Sequence, residues 1–230
     1  MKFWPVFNRP SKQSRNQEKF QHMLEFSRQI AQTNPPALVD LVRLYLRPLQ
    51  TELLLSCAER EMHGARREIE IARFFMPTGP SSLRDYWNYR KCDPQDFRVD
   101  LAKDPVLPCP WHRDRYVDAL AHIGRHKKSG QWQQDANHRV VVLLPWGIAF
   151  VIGGNHSIAS GILSAEGLIQ PVDVYEMSAL LDEVECDGKN YLYSATRKPI
   201  CAVEDYRIAA LFEVGRLMRI HDVRPMSAVA

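Results

Sequence analysis

The chain has 230 residues, of which 45% are hydrophobic and 25% are charged. This length predicts one sizeable domain or two small ones, with a core that needs no disulfide or metal to fold. A net charge of +3 excludes a histone-like or polybasic protein but leaves room for a local phosphate-binding patch. Five scattered cysteines without a C-x-x-C pair favour reduced thiols, and the longest apolar stretch is shorter than the about 20 residues of a membrane span. We therefore expect a cytoplasmic protein without a membrane span.

The N-terminal third is predicted to be helical. Residues 1–16 are polar and basic without an acidic residue, which is typical of a flexible basic arm. Apolar residues then recur at helical spacing, and residues 17–80 are predicted to form a helical N-terminal region. Its second helix runs from Leu38 to about Gly64 and should be kinked or split at Pro48, and a third covers 65–75. Thr78 to Pro110 is predicted to be a loop-rich connector with at most one short helix or strand.

A mixed domain is predicted over residues 105–222. Asp114 is a candidate cap for a helix whose inner face carries Val117 and Leu120. Two apolar runs, 140–144 and 148–152, are joined by a Pro-Trp-Gly turn and predict a hairpin. A helix over about 156–165, a strand over 171–175, a short helix near 178–181, a hairpin at 187–188 and a closing helix over 208–218 follow. Helices and strands are mixed without strict alternation, so the fold class is α+β.

The segment Gly153-Gly154-Asn155-His156-Ser157 is the strongest candidate for a functional site. It links a strand to the first turn of a helix, where free backbone amides favour an anion. His156 in that turn can donate to a phosphate or act as a neutral general base, and Ser157 adds a hydroxyl. The alternative is a tight turn whose glycines only let the helix pack against the strand.

The order strand, turn, strand, glycine pair, helix, glycine, strand resembles the core of the ParB/sulfiredoxin superfamily over about residues 105–177. The Gly-Gly-Asn-His-Ser box stands where sulfiredoxins carry a Gly-Gly-Cys-His-Arg box that binds ATP phosphates. Gly167, the strand from Pro171 and the entry segment from Pro110 to Arg115 are similar to the same core. The resemblance implies a ParB/sulfiredoxin-like core with an added N-terminal helical layer.

Two departures from that pattern limit the activity. Asn155 replaces the sulfiredoxin cysteine, which excludes sulfinic acid reduction because the nucleophilic thiol is missing. Ser157 replaces an arginine, so we expect Arg113, Arg115 or Arg139 to supply the charge for a phosphate. The core is not followed by a recognisable helix-turn-helix sequence, which argues against centromere binding.

A single ParB/sulfiredoxin-like core with extra helices is most similar to the plasmid fertility-inhibition proteins Osa and FiwA. That resemblance implies ATPase and DNase activity that blocks conjugative or T-DNA transfer, with ATP and Mg²⁺ as cofactors. It also implies DNA or a relaxase–DNA complex as partner, with a secretion-system coupling protein as a further candidate. The site residues would be Gly153, Gly154, Asn155, His156, Ser157, Arg113 and Arg115, with His156 as the catalytic residue.

Three alternatives remain open. Asp173 follows the candidate phosphate loop in the next strand and can hold Mg²⁺, although most nearby carboxylates are ordinary surface acids. Cys109, His112, His122 and His126 form a C-x₂-H and H-x₃-H string that can bind zinc, against a plain basic surface helix. Finally, the protein can use the same fold without catalysis, as an interaction protein that blocks a relaxase or coupling-protein partner.

Overall fold

A computed structural model describes residues 12–59 and 68–225. Its helices are α1 (Lys12–Thr33), α2 (Leu38–Glu59), α3 (Ser81–Arg84), α4 (Arg113–His122), α5 (Asn155–Leu163), α6 (Leu180–Glu183) and α7 (Tyr206–Ile220). Its strands are β1 (Arg90–Cys92), β2 (Val99–Asp100), β3 (Val106–Leu107), β4 (Arg139–Leu144), β5 (Ile148–Gly153), β6 (Leu168–Ile169), β7 (Asp173–Glu176), β8 (Val184–Cys186), β9 (Asn190–Tyr193) and β10 (Pro199–Ala202). Short 3₁₀ helices cover Pro35–Ala37, Ile71–Arg73, Tyr86–Asn88 and Pro94–Asp96. This composition confirms the α+β class.

The main sheet has five strands in the order β1-β7-β4-β5-β3. β4 and β5 form the predicted antiparallel hairpin, and the peptide bond between Leu144 and Pro145 in its turn is cis. β4 runs parallel to β7, and β5 runs parallel to β3, while β1 lies antiparallel to β7 at one edge. A three-stranded sheet β10-β9-β8 and the two-stranded pair β2-β6 complete the strand pairing.

The two faces of the main sheet pack against different parts of the chain. Because side chains alternate along a strand, Val141 and Leu143 lie on one face of β4 and Val140 and Val142 on the other. The first face packs in the large core that also contains apolar residues of α1, α2 and α7. The second face packs in a smaller core with Trp132 and with residues of α5. The central strands are therefore covered on both faces.

The N-terminal helices belong to the same core as the main sheet. Ser27 on α1 and Tyr45 on α2 hydrogen bond through their hydroxyl groups at 3.0 Å in a buried position, and burial raises the pKa of Tyr45. The amide of Gln50 on α2 donates to the carbonyl of Val106 on β3 at 2.8 Å. The helical layer is thus attached to the sheet by buried polar contacts as well as by apolar packing.

Several predicted boundaries in this layer are corrected by the structure. α1 begins at Lys12, so residues 12–16 of the predicted arm are helical, and residues 1–11 lie outside the described part of the chain. α2 is not split at Pro48, which lies inside a continuous helix. Of the helix predicted over 65–75, residues 65–67 fall outside the described ranges and the rest forms only the 3₁₀ helix from Ile71 to Arg73.

The connector and α4 also differ from expectation. Residues 78–110 contain α3, β1, β2, β3 and two 3₁₀ helices, because their short strands pair with distant strands rather than with each other. On α4 the N-cap is His112, whose side chain accepts from the amide of Arg115 at 3.4 Å, not Asp114. Its buried residues are Tyr116 and Ala119, whereas Val117 is 60% exposed. Leu120 packs against the core as predicted, but Val117 does not, because the buried face is turned so that Tyr116 packs toward α2, where its hydroxyl donates to the carbonyl of Leu54.

No helix in the described residues combines the length and the apolar character needed to cross a membrane.

Candidate functional site

The candidate site residues lie at one end of the main sheet, here called the glycine end. β5 ends at Gly153, which pairs with Arg139 at the start of β4, and Asp173 begins β7 beside Val141. β3 runs parallel to β5, so the chain that leaves β3 toward α4 also reaches this end. The topology therefore places the glycine box and the entry segment of α4 at one end of the sheet. Asp173 lies at the same end, but as the register partner of Val141 it is on the sheet face opposite the one that α5 covers.

The two glycines of the box face protein atoms rather than open space. Gly154 has φ +73°, in the left-handed region that favours glycine. A Cβ atom on Gly154 would lie 2.5 Å from Cδ2 of His138, and one on Gly153 would lie 2.7 Å from the carbonyl oxygen of Asn137. Glycine is therefore required here because the 137–138 backbone and the His138 ring approach so closely.

His138 and Trp132 form a buried latch over the start of α5. Nδ1 of His138 accepts from the backbone amide of Asp135 at 2.8 Å, and its ring packs on Trp132 with 4.7 Å between centroids. Burial lowers the pKa of His138, although the nearby Asp135 carboxylate opposes the shift. The indole nitrogen of Trp132 donates to the carbonyl and the hydroxyl of Ser157, at 2.9 and 3.0 Å. Ser157, predicted to bind phosphate, thus accepts hydrogen bonds from this latch.

Sequence reasoning missed both residues of this latch. Trp132 lies in a segment rich in glycine, glutamine and asparagine, which is typical of a loop, and His138 follows directly after it. The available signal was the large apolar side chain of Trp132 in an otherwise polar segment, since such a residue is seldom left in solvent. Trp132 is 3% exposed in the structure.

Asn155 connects the glycine box to the entry segment of α4. Its side-chain oxygen accepts from the backbone amide of Cys109 at 2.6 Å, and both residues are buried. A buried amide of this kind costs about 1–3 kcal/mol when it loses its acceptor. Asn155 therefore holds two separate chain segments together.

His156 receives two hydrogen bonds on one ring nitrogen. Its Nε2 accepts from the amides of Trp111 and His112, at 3.2 and 3.0 Å. A nitrogen that accepts must carry a lone pair, so the ring is neutral with its proton on Nδ1. Nε2 is already used in this arrangement, and His156 joins the first turn of α5 to the residues that precede α4.

The starts of α4 and α5 form an exposed surface around this histidine, which we call the helix-start surface: Trp111, Arg113, Arg115 and His156. Trp111 is 40% exposed, and the guanidinium of Arg115 lies 5.7 Å from the centre of its ring. Arg113 is exposed in the first turn of α4. Two helix N-termini, two arginines and an accessible indole are therefore gathered on one surface.

The metal-binding expectations find little support in the geometry. Asp173 forms an ion pair with Lys91 of β1. Of the proposed zinc string, His122 is paired with Asp118 through Nδ1 at 2.9 Å. Within the described ranges no group of three or more His, Cys, Asp or Glu side chains is placed to hold a metal ion, so the zinc string does not assemble.

Comparison with known proteins gives the chain a family but not an activity. The model of DUF6710, a family of unknown function, matches residues 7–224. The chain belongs to this family. No curated protein and no solved structure matches it. Any function for this DUF6710 protein therefore has to be argued from its own residues.

Proposed function

We propose that the protein binds single-stranded DNA at the helix-start surface and acts by binding rather than by hydrolysis. The single observation that carries this proposal is the accessible Trp111 ring next to Arg115 at the joined starts of α4 and α5. The order of elements around the glycine box is the order that the ParB/sulfiredoxin resemblance implies, which adds support. Interference with conjugative or T-DNA transfer then follows from occupying the transferred strand or its relaxase complex.

The chemistry of the surface suits a strand with unstacked bases. Proteins that bind single strands combine cationic side chains along the backbone with aromatic rings on which bases stack. Arg113 and Arg115 supply the positive charge, and Trp111 supplies the stacking surface. The positive ends of the two helix dipoles add to the attraction for phosphate. Paired bases would keep their faces buried in the duplex, so the tryptophan favours a single strand.

The contacts of His156 favour binding over catalysis. A general base needs a lone pair that can reach the proton it removes. The lone pair of Nε2 instead accepts from Trp111 and His112. Using it for catalysis would leave two backbone amides without that acceptor, which argues for the non-catalytic alternative.

The glycine box has no open space on the side toward which a Cβ atom would point. The volume in front of the Gly153 and Gly154 Cα atoms is filled by Asn137 and His138. A phosphate on that side would have to displace the latch formed by His138 and Trp132. We therefore assign phosphate binding to the arginines of α4 rather than to the glycines.

Fluorescence anisotropy with a labelled oligothymidine of about 20 nucleotides tests this proposal, since such surfaces cover roughly 4–16 nucleotides. Trp111→Ala should weaken binding by about 1–3 kcal/mol, the usual contribution of one stacked base, without changing the salt dependence. Arg115→Met should weaken binding and lower the slope of log K against log salt by about 0.7, the value for one lost phosphate contact to a single strand.

The matched control is Arg28→Met, which removes one exposed arginine from α1, outside the helix-start surface. It should leave both the affinity and the salt slope close to those of the wild type. Equal binding by all four proteins, or a preference for the duplex of the same length, would overturn the proposal. Hydrolysis of DNA or ATP that disappears in His156→Gln, where the amide oxygen can still accept hydrogen bonds, would favour the catalytic alternative instead.

A further inference from the structure

A cavity of about 480 Å³ lies at the opposite end of the main sheet from the glycine box. Leu144, Glu176 and Arg90 are register partners on β4, β7 and β1, so their side chains form a row across one face of the sheet. All three residues line the cavity. The remaining wall comes from the end of α7 and the residues that follow it, together with five residues elsewhere in the chain: Cys92, Asp96, Phe97, Pro145 and Ser178.

The charged residues in this row interrupt a face that is otherwise apolar. Val142 and Val174 lie two positions earlier on β4 and β7, on the same face, and both are completely buried. Near the glycine end, α5 contributes Ile158 and Ile162 to the core on that face. Toward the cavity the sheet carries Glu176 and Arg90 instead. A strand pattern that changes from valine to opposite charges where a cavity opens indicates a binding site rather than core packing.

The two charged side chains differ in their hydrogen bonds to the rest of the protein. Oε1 of Glu176 accepts from the amide and the hydroxyl of Ser178, at 2.9 and 2.6 Å. These bonds fix the carboxylate and leave Oε2 for another donor. The guanidinium of Arg90, an exposed residue of the edge strand, makes no hydrogen bond and no ion pair to any residue in the described ranges, although Glu176 is its register partner. The cavity therefore presents an oriented carboxylate and a guanidinium without an ion pair side by side. Four other charged residues also line it: Asp96, Asp222, Arg219 and Arg224. Of these, Arg219 pairs with Asp182 and Arg224 pairs with Asp222.

The rest of the wall suits an apolar group. Phe97, Pro145, Met218 and Val223 line the cavity together with Leu144. The volume lies within the roughly 300–1,000 Å³ that is usual for small-molecule sites. A second cavity of about 450 Å³ is also lined by Arg90 and Glu176.

We propose that this cavity, the Arg90–Glu176 cavity, binds a small zwitterion with an apolar side chain, either an α-amino acid or a short peptide. The carboxylate of the ligand binds the guanidinium of Arg90, its ammonium binds Glu176, and its side chain contacts Leu144, Phe97 and Val223. Both charges of the ligand are then matched by opposite charges, which a ligand with one charge cannot achieve. The site is independent of DNA binding at the helix-start surface.

NMR titration of the full chain tests this proposal with four probes. They are L-phenylalanine, L-leucyl-L-phenylalanine, 3-phenylpropionate without the ammonium, and phenethylamine without the carboxylate. The zwitterions should shift the Met218 methyl and the Ser178 amide resonances, and each single-charge analogue should bind about tenfold or more weakly, the cost of one lost charged hydrogen bond. The tighter of the two zwitterions identifies the ligand as an amino acid or as a peptide.

Variants separate the two charges. Arg90→Met should weaken binding of the zwitterions about tenfold and leave binding of phenethylamine unchanged. Glu176→Gln should also weaken binding of the zwitterions about tenfold, but it should leave binding of 3-phenylpropionate unchanged. Lys91→Met is the matched control, because it removes a positive charge from the same strand on the opposite face of the sheet. An analogue that binds as tightly as L-phenylalanine, no shift with any probe, or equal weakening by Lys91→Met would overturn the proposal.

Discussion

At one end of the main sheet, Asn137 and His138 fill the space in front of Gly153 and Gly154, whereas at the other end Arg90 and Glu176 face a cavity of about 480 Å³. Both ends carry polar and charged residues next to apolar strands. At the glycine end, the side chains of Asn155 and His156 accept hydrogen bonds from backbone amides of the protein. At the cavity end, Arg90 has no such partner within the described residues.

The comparison shows that residues whose sequence resembles a known site, as in the glycine box, need not be the residues that are accessible to a ligand. The sequence pattern of the glycine box is the more specific of the two, yet most of its polar groups hold α4, α5 and the latch residues together. The cavity end has no recognisable motif, and only the register of three strands brings Arg90 and Glu176 side by side. Binding at the glycine end is therefore left to its outer surface, around Trp111 and Arg115.

The sharpest test of this comparison substitutes two glycines that have almost the same positive φ. Gly154 has φ +73° and Gly130 has φ +74°, but a Cβ on Gly130 would meet nothing within 4 Å. Gly130→Ala should cost about 1–2 kcal/mol of unfolding free energy, the strain of the left-handed conformation alone. Gly154→Ala should cost roughly 1–3 kcal/mol more, because the new methyl group collides with His138. Urea denaturation measures both values.

Equal losses for Gly130→Ala and Gly154→Ala would contradict the packing described here. They would mean that the space in front of Gly154 is open, as a phosphate cradle requires. In that case phosphate binding would be assigned to the glycine box, as the sequence predicts.

The next largest effect is expected at Asn155. Asn155→Ala removes the acceptor of the buried Cys109 amide and should lower the unfolding free energy by about 1–3 kcal/mol. Asn137→Ala is the matched control, since it truncates an exposed asparagine that lies against the glycines only through its backbone, and it should change stability by about 0.5 kcal/mol or less. A loss at Asn155 no larger than that at Asn137 would show that the link between the two segments contributes nothing to folding.

The elements that the sequence predicts well are those specified by local patterns. The hairpin of β4 and β5 is marked by two apolar runs around a Pro-Trp-Gly turn. Local turn residues or hydrophobic periodicity also predict three further elements: the strand from Asp173, the turn at Asp187 and Gly188, and the closing helix α7. Each of these features can be decided within about ten residues of chain, so no knowledge of distant partners is required.

The elements that it misses depend on partners far away in the chain. β1 and β3 are three and two residues long, too short for any period to show, and they exist because they pair with β7 and β5. The orientation of α4 was decided by its contact with α2 rather than by its own apolar stripe. The candidate site is a mixed case. The sequence points to the glycine box itself, but it does not show that Asn137 and His138 lie against the two glycines.

The latch also predicts a pH dependence of stability. Burial lowers the pKa of His138 below that of the unfolded chain, so the folded state disfavours the proton. The contribution of this histidine is therefore complete above about pH 6.5, the unfolded value, and is lost as the pH falls toward the folded pKa. Denaturant unfolding at several pH values should show stability falling on the acidic side of this range.

His138→Asn is the control for that titration, because its side-chain oxygen can still accept from the amide of Asp135 while no ring remains to be protonated. The variant should be less stable at neutral pH, since it loses the contact with Trp132, but it should lack the decline that starts at about pH 6.5. The same decline in both proteins would assign it to another group.

The smallest effect is expected at Asp173, the residue for which the sequence suggests Mg²⁺ binding. Its carboxylate pairs with Lys91, whose side chain is 57% exposed, and exposed ion pairs contribute about 0–1 kcal/mol. Asp173→Asn should therefore lower the unfolding free energy by less than about 1 kcal/mol, and Lys91→Met should cause a similar loss. Because Lys91 already neutralises the carboxylate, millimolar MgCl₂ should not raise the melting temperature of the wild type above that of Asp173→Asn in the same salt. A rise that occurs in the wild type and is absent in Asp173→Asn would restore this residue as a metal ligand at the glycine end, and with it the case for hydrolysis there.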